Sequence, residues 1–325
     1  MTNVLILGGT GWVSGRLAQR WVEAGATVTC LARGTSPVPE GSRLLHADRN
    51  TPDAYHQAIG RTWDEVVDVS SDPAHVAAAI DALGPGAGHW TYVSSVSVYA
   101  DVDVVGAGES AALAAPARFG DREDYPGAKA AAEAAVRAWG RRAAIVRPGL
   151  IVGPGDPTDR FGYWPARFAH ATTEAVLVPR SSELNAQVID VDDLVDFLVS
   201  AGMRGLDGPV NAVGDSTPLA DVFALARAAA GHRGDVVPVP GEWLHDHDVA
   251  YWAGPRSLPL WLPPEMPGFA TRNGDRYRAA GGRIRPLAET VARVLADERS
   301  RGVDRARASG LTREDERSLI RLWRG

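Results

Sequence analysis

One lysine and one tyrosine, spaced a single helical turn apart, are the residues best suited to acid–base chemistry in this sequence. All but one of the 34 basic side chains are arginine, and the exception, Lys129, stands four residues after Tyr125 in "DYPGAKAAAE". With 7 tyrosines in 325 residues, a lone lysine would fall four residues after one by chance in roughly 2% of cases. In a helix the two side chains share one face, so the ammonium can stabilise the phenolate and make the phenol a proton donor near neutral pH. The alternative is a partly exposed helical pair without chemistry.

A glycine-rich turn near the N-terminus has the residues needed to bind a dinucleotide. In "LILGGTGWVSGRL", Gly8 and Gly11 lie between a strand pattern and the start of a helix pattern. Glycine lets the backbone approach a pyrophosphate closely, and the helix N-terminus offers N–H groups to the anion. The segment therefore predicts dinucleotide binding, and a plain strand-to-helix turn is the alternative.

The elements that must position these residues alternate between strand and helix patterns up to about residue 148. Val- and Ile-rich runs such as "NVLILG", "TVTCLA", "RLLHAD", "EVVDVS" and "AAIVRPG" are separated in several places by helical segments such as "PAHVAAAIDALG". This alternation is typical of an α/β protein with a doubly wound parallel sheet. We predict a Rossmann core over residues 1–150, a mixed region over 151–300 that combines a smaller C-terminal substrate-binding lid with elements returning to the core, and a charged linker with a C-terminal helix over 301–325.

Together these motifs resemble the extended short-chain dehydrogenase/reductase family, over residues 1 to 300. The glycine-x-x-glycine-x-x-glycine pattern of that family is matched at Gly8 and Gly11, whereas Ser14 stands at the third position. Because the third glycine permits close packing of helix on strand, we expect Ser14 to push the helix slightly outward and Gly15 to compensate in part. The resemblance also implies cofactor contacts at Thr10, Trp12, Val13, Ser70 and Pro148.

The same resemblance implies a catalytic set of three residues. The family carries a Ser or Thr four residues before the tyrosine that ends "YVSSVSVY", so Tyr99 places this residue at Ser95. Tyr125 would then give a proton to a carbonyl that receives hydride, Lys129 would hold the nicotinamide ribose, and Ser95 would hydrogen-bond the substrate oxygen. Strand alternation would put Ser97 on the same face as Ser95, toward substrate.

The second strand of the pattern ends in a cationic side chain. Enzymes that prefer NAD usually carry a carboxylate here for the ribose 2′-hydroxyl, but none occurs between residues 24 and 39, and Arg33 suits a 2′-phosphate. We therefore predict NADP as the cofactor, with NAD as the alternative. The resemblance places adenine contacts at Asp48 and Arg49, although Asp48 could instead cap a helix beginning near Pro52.

The substrate side of the sequence is less distinctive. Relatives that act on nucleotide sugars commonly carry Arg-Asp before the strand matching "QVIDVDDL", but Ala186 and Gln187 stand there. This argues against such a substrate, although Arg160, Arg167 or Arg180 could substitute. We expect the loop "DRFGYWPARF" to border the pocket, with Arg160, Tyr163 and Trp164 as substrate contacts. Packing on the core is the alternative for Trp164. The two histidines of "LHDHD" are more typical of solvated side chains than of ligands, and we predict no metal.

Composition and charge limit the partners. A net charge of −6 gives no broad basic field for nucleic acid, and no apolar run approaches the roughly 18 residues of a membrane span. The lone Cys30 fits a reducing compartment. We therefore predict a cytoplasmic protein that binds a small-molecule substrate and neither nucleic acid nor membrane. Its Ala-rich helices, which pair across dimers in the family, predict a homodimer.

These observations lead to one predicted function and two alternatives. We predict an NADP-dependent oxidoreductase that acts on a carbonyl or alcohol of a small metabolite. A cofactor-retaining epimerase or dehydratase is the first alternative. The second is an RNA-binding relative without turnover, because "ADRN", "EVVDVS" and "YVSSVSVY" are also similar to a chloroplast RNA-binding branch. The net charge and the intact Tyr and Lys oppose this second alternative.

Overall fold

Strands and helices alternate along most of the chain. The computed structural model describes residues 2–117, 124–170 and 172–325. The strands are β1 (Asn3–Leu7), β2 (Thr27–Ala32), β3 (Ser42–His46), β4 (Glu65–Asp68), β5 (Trp90–Val93), β6 (Ala143–Pro148), β7 (Leu150–Val152), β8 (Val176–Pro179), β9 (Asn185–Asp190), β10 (Gly208–Ala212), β11 (Ser216–Pro218), β12 (Val236–Val239), β13 (Ala250–Trp252) and β14 (Ser257–Pro259). The helices are α1 (Trp12–Glu23), α2 (Pro73–Leu83), α3 (Tyr125–Ala138), α4 (Tyr163–His170), α5 (Val191–Arg204), α6 (Leu219–Ala230), α7 (Gly241–Asp246), α8 (Asp275–Ala279), α9 (Leu287–Arg301) and α10 (Arg313–Arg324).

The first of two compact units contains a seven-stranded parallel sheet. This unit runs to Ile151 and also includes Val191–Gly214 and Arg272–Arg283. The strand order is β10-β6-β5-β4-β1-β2-β3, and every neighbouring pair is parallel. The order reverses between β1 and β4, so the turns that follow these two strands diverge and leave a crevice at their carboxyl ends. The predicted doubly wound α/β fold is thus confirmed.

Helices of the first unit bury their apolar faces on this sheet. Val76 and Ile80 of α2 and Val136 of α3 join a core with inward side chains of the strands, such as Leu5 and Tyr92. Helices α1 and α5 pack against each other, and Arg16 of α1 pairs with Asp192 of α5 at 3.0 Å. Asp124 is the N-cap of helix α3, and its side chain accepts a hydrogen bond from the backbone N–H of Gly127. This cap positions the first turn of α3, which carries Tyr125.

The second unit comprises Val152–Asp190, Asp215–Thr271 and Ile284–Gly325. Its strands form three small pairings: β8 with β12 in parallel, β9 with β11 antiparallel, and β13 with β14 in parallel. Helix α6 packs against α4 and α9. The C-terminal helix α10 is capped by Thr312, whose side chain accepts a hydrogen bond from the backbone N–H of Asp315, and its buried Glu316 pairs with Arg167.

Two segments differ from the sequence-based expectation. "YVSSVSVY" does not continue as a strand: β5 ends at Val93, and the Ser95 hydroxyl accepts from the backbone N–H of Ser97 at 3.1 Å, which caps a short 3₁₀ helix. The segment near Pro52, where a helix was the alternative, forms a series of turns. Most of its backbone hydrogen bonds join residues three apart, as from Ala54 N to Thr51 O. Within the described ranges, no helix is both long and apolar enough to span a bilayer.

Candidate active site

The glycine turn joins β1 to α1 at the crevice of the sheet. Gly8 has φ +95°, a conformation that favours glycine, and its N–H bonds Leu31 O of the neighbouring strand at 2.9 Å. Gly11 is the N-cap of α1, and the first turn of that helix carries no acidic residue. The N-terminus of α1 is therefore suited to bind an anion.

Ser14 stabilises this turn instead of loosening it. Its hydroxyl donates to Gly8 O at 2.5 Å and accepts from Gly11 N at 3.0 Å, so one side chain bridges both ends of the turn. The outward displacement of α1 and the compensating role of Gly15 stay predictions, and a Cβ added at Gly15 would have space. The close approach occurs at Gly9, which the sequence reading missed: a Cβ there would overlap Cys30.

A cavity of about 640 Å³ opens beside this turn. That volume lies in the range of small-molecule and cofactor sites. Many of the predicted cofactor residues line it, together with Tyr125: these are Gly8, Thr10, Gly11, Arg33, Asp48, Arg49 and Ser70. The lining also includes residues that the sequence reading missed, among them Asn50, Asp72 and His75. The predicted contacts Trp12, Val13, Lys129 and Pro148 lie outside this lining.

The end of the cavity near β2 and β3 carries charged side chains of both signs. Arg33 is exposed directly after β2. The pKa of Asp48 is lowered, mainly because Asn50 donates to it from its backbone and side chain, with a smaller contribution from the charge of Arg33. Asp48 thus caps a turn at Asn50 and no helix. A dinucleotide bound in this cavity could place its ribose phosphate beside Arg33.

The guanidinium of Arg49 is hydrogen-bonded to other groups of the protein. Two of its nitrogens bond the carboxylate of Asp68 at 2.9 and 2.8 Å, and further bonds reach His75 O and Tyr55 OH. Arg49 is therefore part of the cavity wall, and the adenine contacts implied by the resemblance for Asp48 and Arg49 stay predictions. Nothing in the local sequence pattern signals this pairing, because Asp68 lies 19 residues further along the chain.

Lys129 is held between the ends of two strands. Its side chain is 2% exposed, and Nζ donates to Ser70 O, after β4, at 3.0 Å and to Val93 O, at the end of β5, at 2.8 Å. Burial lowers the pKa of Lys129 to about 8, although the nearby carboxylates of Asp68 and Glu133 favour its charged form. An ammonium in this setting changes charge close to neutral pH.

Tyr125 and the serines after β5 lie near this lysine. Tyr125 begins α3 one turn before Lys129, is 42% exposed and lines the cavity. Ser95 comes two residues after Val93, and its hydroxyl lies 3.1 Å from that of Ser97. The structure thus brings the two hydroxyls together through a turn, and not through the strand alternation that we expected.

A buried ionic network lies behind the lysine. Glu133, one turn after Lys129, accepts two hydrogen bonds from Arg147, at 2.8 and 2.7 Å, and one from Ser94 at 2.6 Å. Burial raises the pKa of Glu133, but the bonds from Arg147 and Ser94 outweigh it and leave the pKa below its usual value. Ser94, the neighbour of Ser95, is therefore occupied by this structural contact. A charged residue inside an Ala-rich helix was the only sequence signal for the network.

Ser97 lies in the first unit, whereas the other predicted substrate residues, Arg160, Tyr163 and Trp164, lie in the second. Tyr163 and Trp164 are buried, and Trp164 donates to Pro259 O at 2.8 Å. Trp164 thus packs within its own unit, and both its contact with substrate and the alternative of packing on the core stay predictions. Arg160 is half-buried, and its guanidinium lies over the ring of Trp252 at 5.2 Å. Its contact with substrate stays a prediction.

The residues around the cavity fit a nicotinamide dinucleotide. Its phosphates would be bound by the N-terminus of α1, which has no acidic residue in its first turn, and by the glycine backbone before it. The exposed cation Arg33 lines the same cavity. Tyr125 and Ser70 line the same cavity, and the Lys129 ammonium contacts the Ser70 carbonyl. The chemistry of these donors is what a pyrophosphate and ribose hydroxyls require.

Comparison with known proteins agrees with this geometry. Residues 4–212 match the model of the NAD dependent epimerase/dehydratase family. The chain is also 28% identical over 298 residues to the 2′-dehydrokanamycin reductase of Streptomyces kanamyceticus, an alignment that covers 86% of this chain and 81% of that protein.

Solved structures share the fold at lower identity. UDP-N-acetylglucosamine 4-epimerase from Bacillus cereus is 14% identical with a TM-score of 0.70, covering 94% of this chain and 99% of that one. UDP-glucose 4-epimerase from Thermus thermophilus, solved in complex with NAD, is 17% identical with a TM-score of 0.65, covering 92% and 99%. At these identities the likeness concerns the fold alone.

Proposed function

The chain belongs to the NAD dependent epimerase/dehydratase family, and from this premise we propose that it is an NADP-dependent reductase of a carbonyl on a small metabolite. The observation that carries the proposal is the buried Lys129 ammonium, one helical turn after a tyrosine that lines a dinucleotide-sized cavity. The similarity to a reductase supports net reduction.

Each residue of the set has one task in this proposal. Bound NADPH supplies the hydride. Tyr125 gives its phenolic proton to the substrate oxygen as negative charge develops there, and Ser95 donates a hydrogen bond to the same oxygen. Lys129 stabilises the phenolate left on Tyr125 and holds ribose hydroxyls. The Tyr125 side chain is exposed enough to meet a substrate.

The preference for NADP follows from Arg33. A charge-assisted contact between a guanidinium and a 2′-phosphate is worth roughly 1.5–3 kcal/mol, or about ten- to a hundredfold in affinity. We expect NADPH to bind more tightly than NADH, and Arg33→Ala to erase most of that difference while leaving NADH affinity unchanged. Calorimetric titration of both cofactors measures it. Equal affinities in the native protein would remove the basis for NADP.

A reductase and a cofactor-retaining enzyme differ in net cofactor consumption. We propose incubating the protein with NADPH and 2′-dehydrokanamycin, the compound named for the relative, beside a panel of small aldehydes and ketones. Stoichiometric loss of NADPH absorbance with one carbonyl supports the reductase. Conversion of a sugar substrate with no net change in cofactor would instead favour an epimerase or dehydratase.

A further inference from the structure

Asp68 is a fully buried carboxylate at the end of β4, and it is bonded to Arg49 of the cavity wall. Its side chain is 0% exposed. Oδ1 accepts from Arg49 at 2.9 Å and from the backbone N–H of Ser70 at 2.9 Å, and Oδ2 accepts from Arg49 at 2.8 Å. The carboxylate therefore holds Arg49 and the backbone of Ser70 together.

The carbonyl of Ser70 links this carboxylate to the lysine. Ser70 O accepts from Lys129 Nζ at 3.0 Å and from Tyr92 OH at 3.1 Å, which uses both of its lone pairs. The Lys129 ammonium also lies 4.9 Å from the centre of the Tyr92 ring. Asp68 thus binds the backbone N–H of the same residue whose carbonyl receives Lys129, and it holds the peptide that precedes that carbonyl.

Titratable side chains from three elements surround Lys129. Asp68 faces it from β4 and Tyr92 from β5, while Tyr125 and Glu133 lie one turn before and after it on α3. Burial raises the pKa of Tyr92, so its phenol stays neutral. Glu133 is already bonded to Arg147. Asp68 is likewise bonded to Arg49, but it favours the charged form of Lys129 more strongly than Glu133 does, and it lies outside α3.

We propose that Asp68 and Arg49 form a positioning pair for Lys129. Asp68 fixes the carbonyl that receives the ammonium and keeps the lysine in its charged form, and Arg49 holds the Asp68 carboxylate in place. The pair thereby connects the cavity wall near His75 and Asn50 to the lysine of the proposed catalytic set. The proposal extends the role given to Lys129 under the proposed function.

The single lysine of the chain makes the proposal directly measurable. Protein labelled with ¹³C-lysine and purified without a lysine-containing tag gives one side-chain signal, whose shift against pH reports the ionisation of Lys129 with neither cofactor nor substrate. We expect a midpoint near pH 8 in the native protein. In Asp68→Asn the midpoint falls by about one pH unit, because the balancing charge is lost. In Arg49→Gln it rises, because the carboxylate is no longer neutralised by arginine.

Opposite shifts in the two variants are the decisive result. A merely structural pair would leave the midpoint unchanged or move it in the same direction in both variants, and either outcome overturns the proposal. Asp192→Asn is the matched control: it removes a carboxylate paired with Arg16 in the same unit, and we expect no shift.

Removing one partner of a buried ion pair is strongly destabilising, so Asp68→Asn could fail to fold. The double variant Asp68→Asn, Arg49→Gln leaves no unpaired charge, and its midpoint should lie below that of Arg49→Gln alone. An equal midpoint in those two variants would equally refute the role of Asp68. Since the signal is read from the free protein, this test can fail while the proposed reductase activity stands, and the reverse also holds.

Discussion

At the scale of single residues, Lys129 shows why side-chain shape matters more than charge. Its ammonium fits between two backbone carbonyls and beside the Tyr92 ring, in a site that is 2% exposed. A guanidinium is broad and planar and projects its donors as a fork, so it cannot occupy the same compact position. This explains why a chain that uses arginine at every other basic position has lysine here.

Replacing this lysine by arginine should therefore abolish most of the activity. We expect Lys129→Arg to lower turnover at least about a hundredfold, comparable with Tyr125→Phe, since positioned acid catalysis typically contributes roughly 10² to 10⁴. Because the residues act as a unit, the double variant should be scarcely worse than either single one. Steady-state turnover with one carbonyl substrate measures this, and thermal melts exclude misfolding. Near-native activity of Lys129→Arg would remove Lys129 from the catalytic set.

At the scale of elements, the turn between β1 and α1 depends on a side chain that replaces the family's glycine. Ser14 ties Gly8 O to Gly11 N, and the first turn of α1 is thereby fixed to the end of β1. Loss of the hydroxyl leaves two backbone groups without this partner. The turn would then be less well ordered where the cofactor phosphates are expected.

We expect Ser14→Ala to lower the free energy of unfolding by about 1–2 kcal/mol and to weaken cofactor binding. Denaturant unfolding and calorimetric titration measure the two effects. Ser110→Ala, which removes an exposed hydroxyl in the same unit and away from the cavity lining, is the control and should change neither quantity. If Ser14→Ala matched this control, the bridge would contribute nothing to the turn.

The contact between β4, β5 and the segment after α5 depends on a buried histidine. His89 Nδ1 lies 2.6 Å from Glu65 Oε2, and Nε2 lies 2.7 Å from Leu206 O. Both partners are acceptors when Glu65 is ionised, so only the protonated imidazole satisfies both. Burial lowers the pKa of His89, but the hydrogen bond and charge of Glu65 outweigh it and raise the pKa above 6.5.

This pKa shift gives stability a pH dependence of defined sign. With a raised pKa in the folded state, His89 contributes its full stability below pH 6.5 and loses it as the pH rises through the folded value. We expect the difference in unfolding free energy between native protein and His89→Gln to shrink as the pH rises over the range above about 6.5. Urea unfolding across that range measures it. A difference that stays constant with pH would mean that His89 is neutral.

At the scale of the whole molecule, the helices α2 and α3 leave small side chains exposed after they have packed on the sheet. Ala74 and Ala78 of α2 and Ala134 and Ala138 of α3 are exposed. Alanine permits close approach of helices, so these faces are suited to pair with those of a second copy. The assembly expected from the sequence therefore remains a prediction with a defined surface.

We expect a homodimer with twice the chain mass of 34.5 kDa. The variant Ala134→Glu places a charge on the expected interface and should halve the mass measured by light scattering at micromolar concentration. Met203→Glu, at a side chain that is 63% exposed at the end of α5, is the control and should stay dimeric. A native mass of 34.5 kDa at every concentration would exclude the homodimer.

Features that depend on residues close together along the chain could be predicted from the sequence. The alternation of apolar runs predicted β1 to β6 and the helices between them, because burial against a sheet imposes a period on the sequence. The glycines of the first turn and the spacing of Tyr125 and Lys129 are equally local, since backbone freedom and a helical turn involve only a few residues. The run "TVTCLA", for example, coincides with β2.

The long-range partners of side chains could be identified only in the folded structure. Arg49 pairs with Asp68 across 19 residues, Gly9 meets Cys30 of the neighbouring strand, and Trp164 bonds Pro259 across 95 residues. A guanidinium or an indole can satisfy its donors in many ways, and the favoured partner is whichever acceptor the fold brings within reach as water is excluded. That choice depends on the packing of whole elements, which no local pattern in the sequence records.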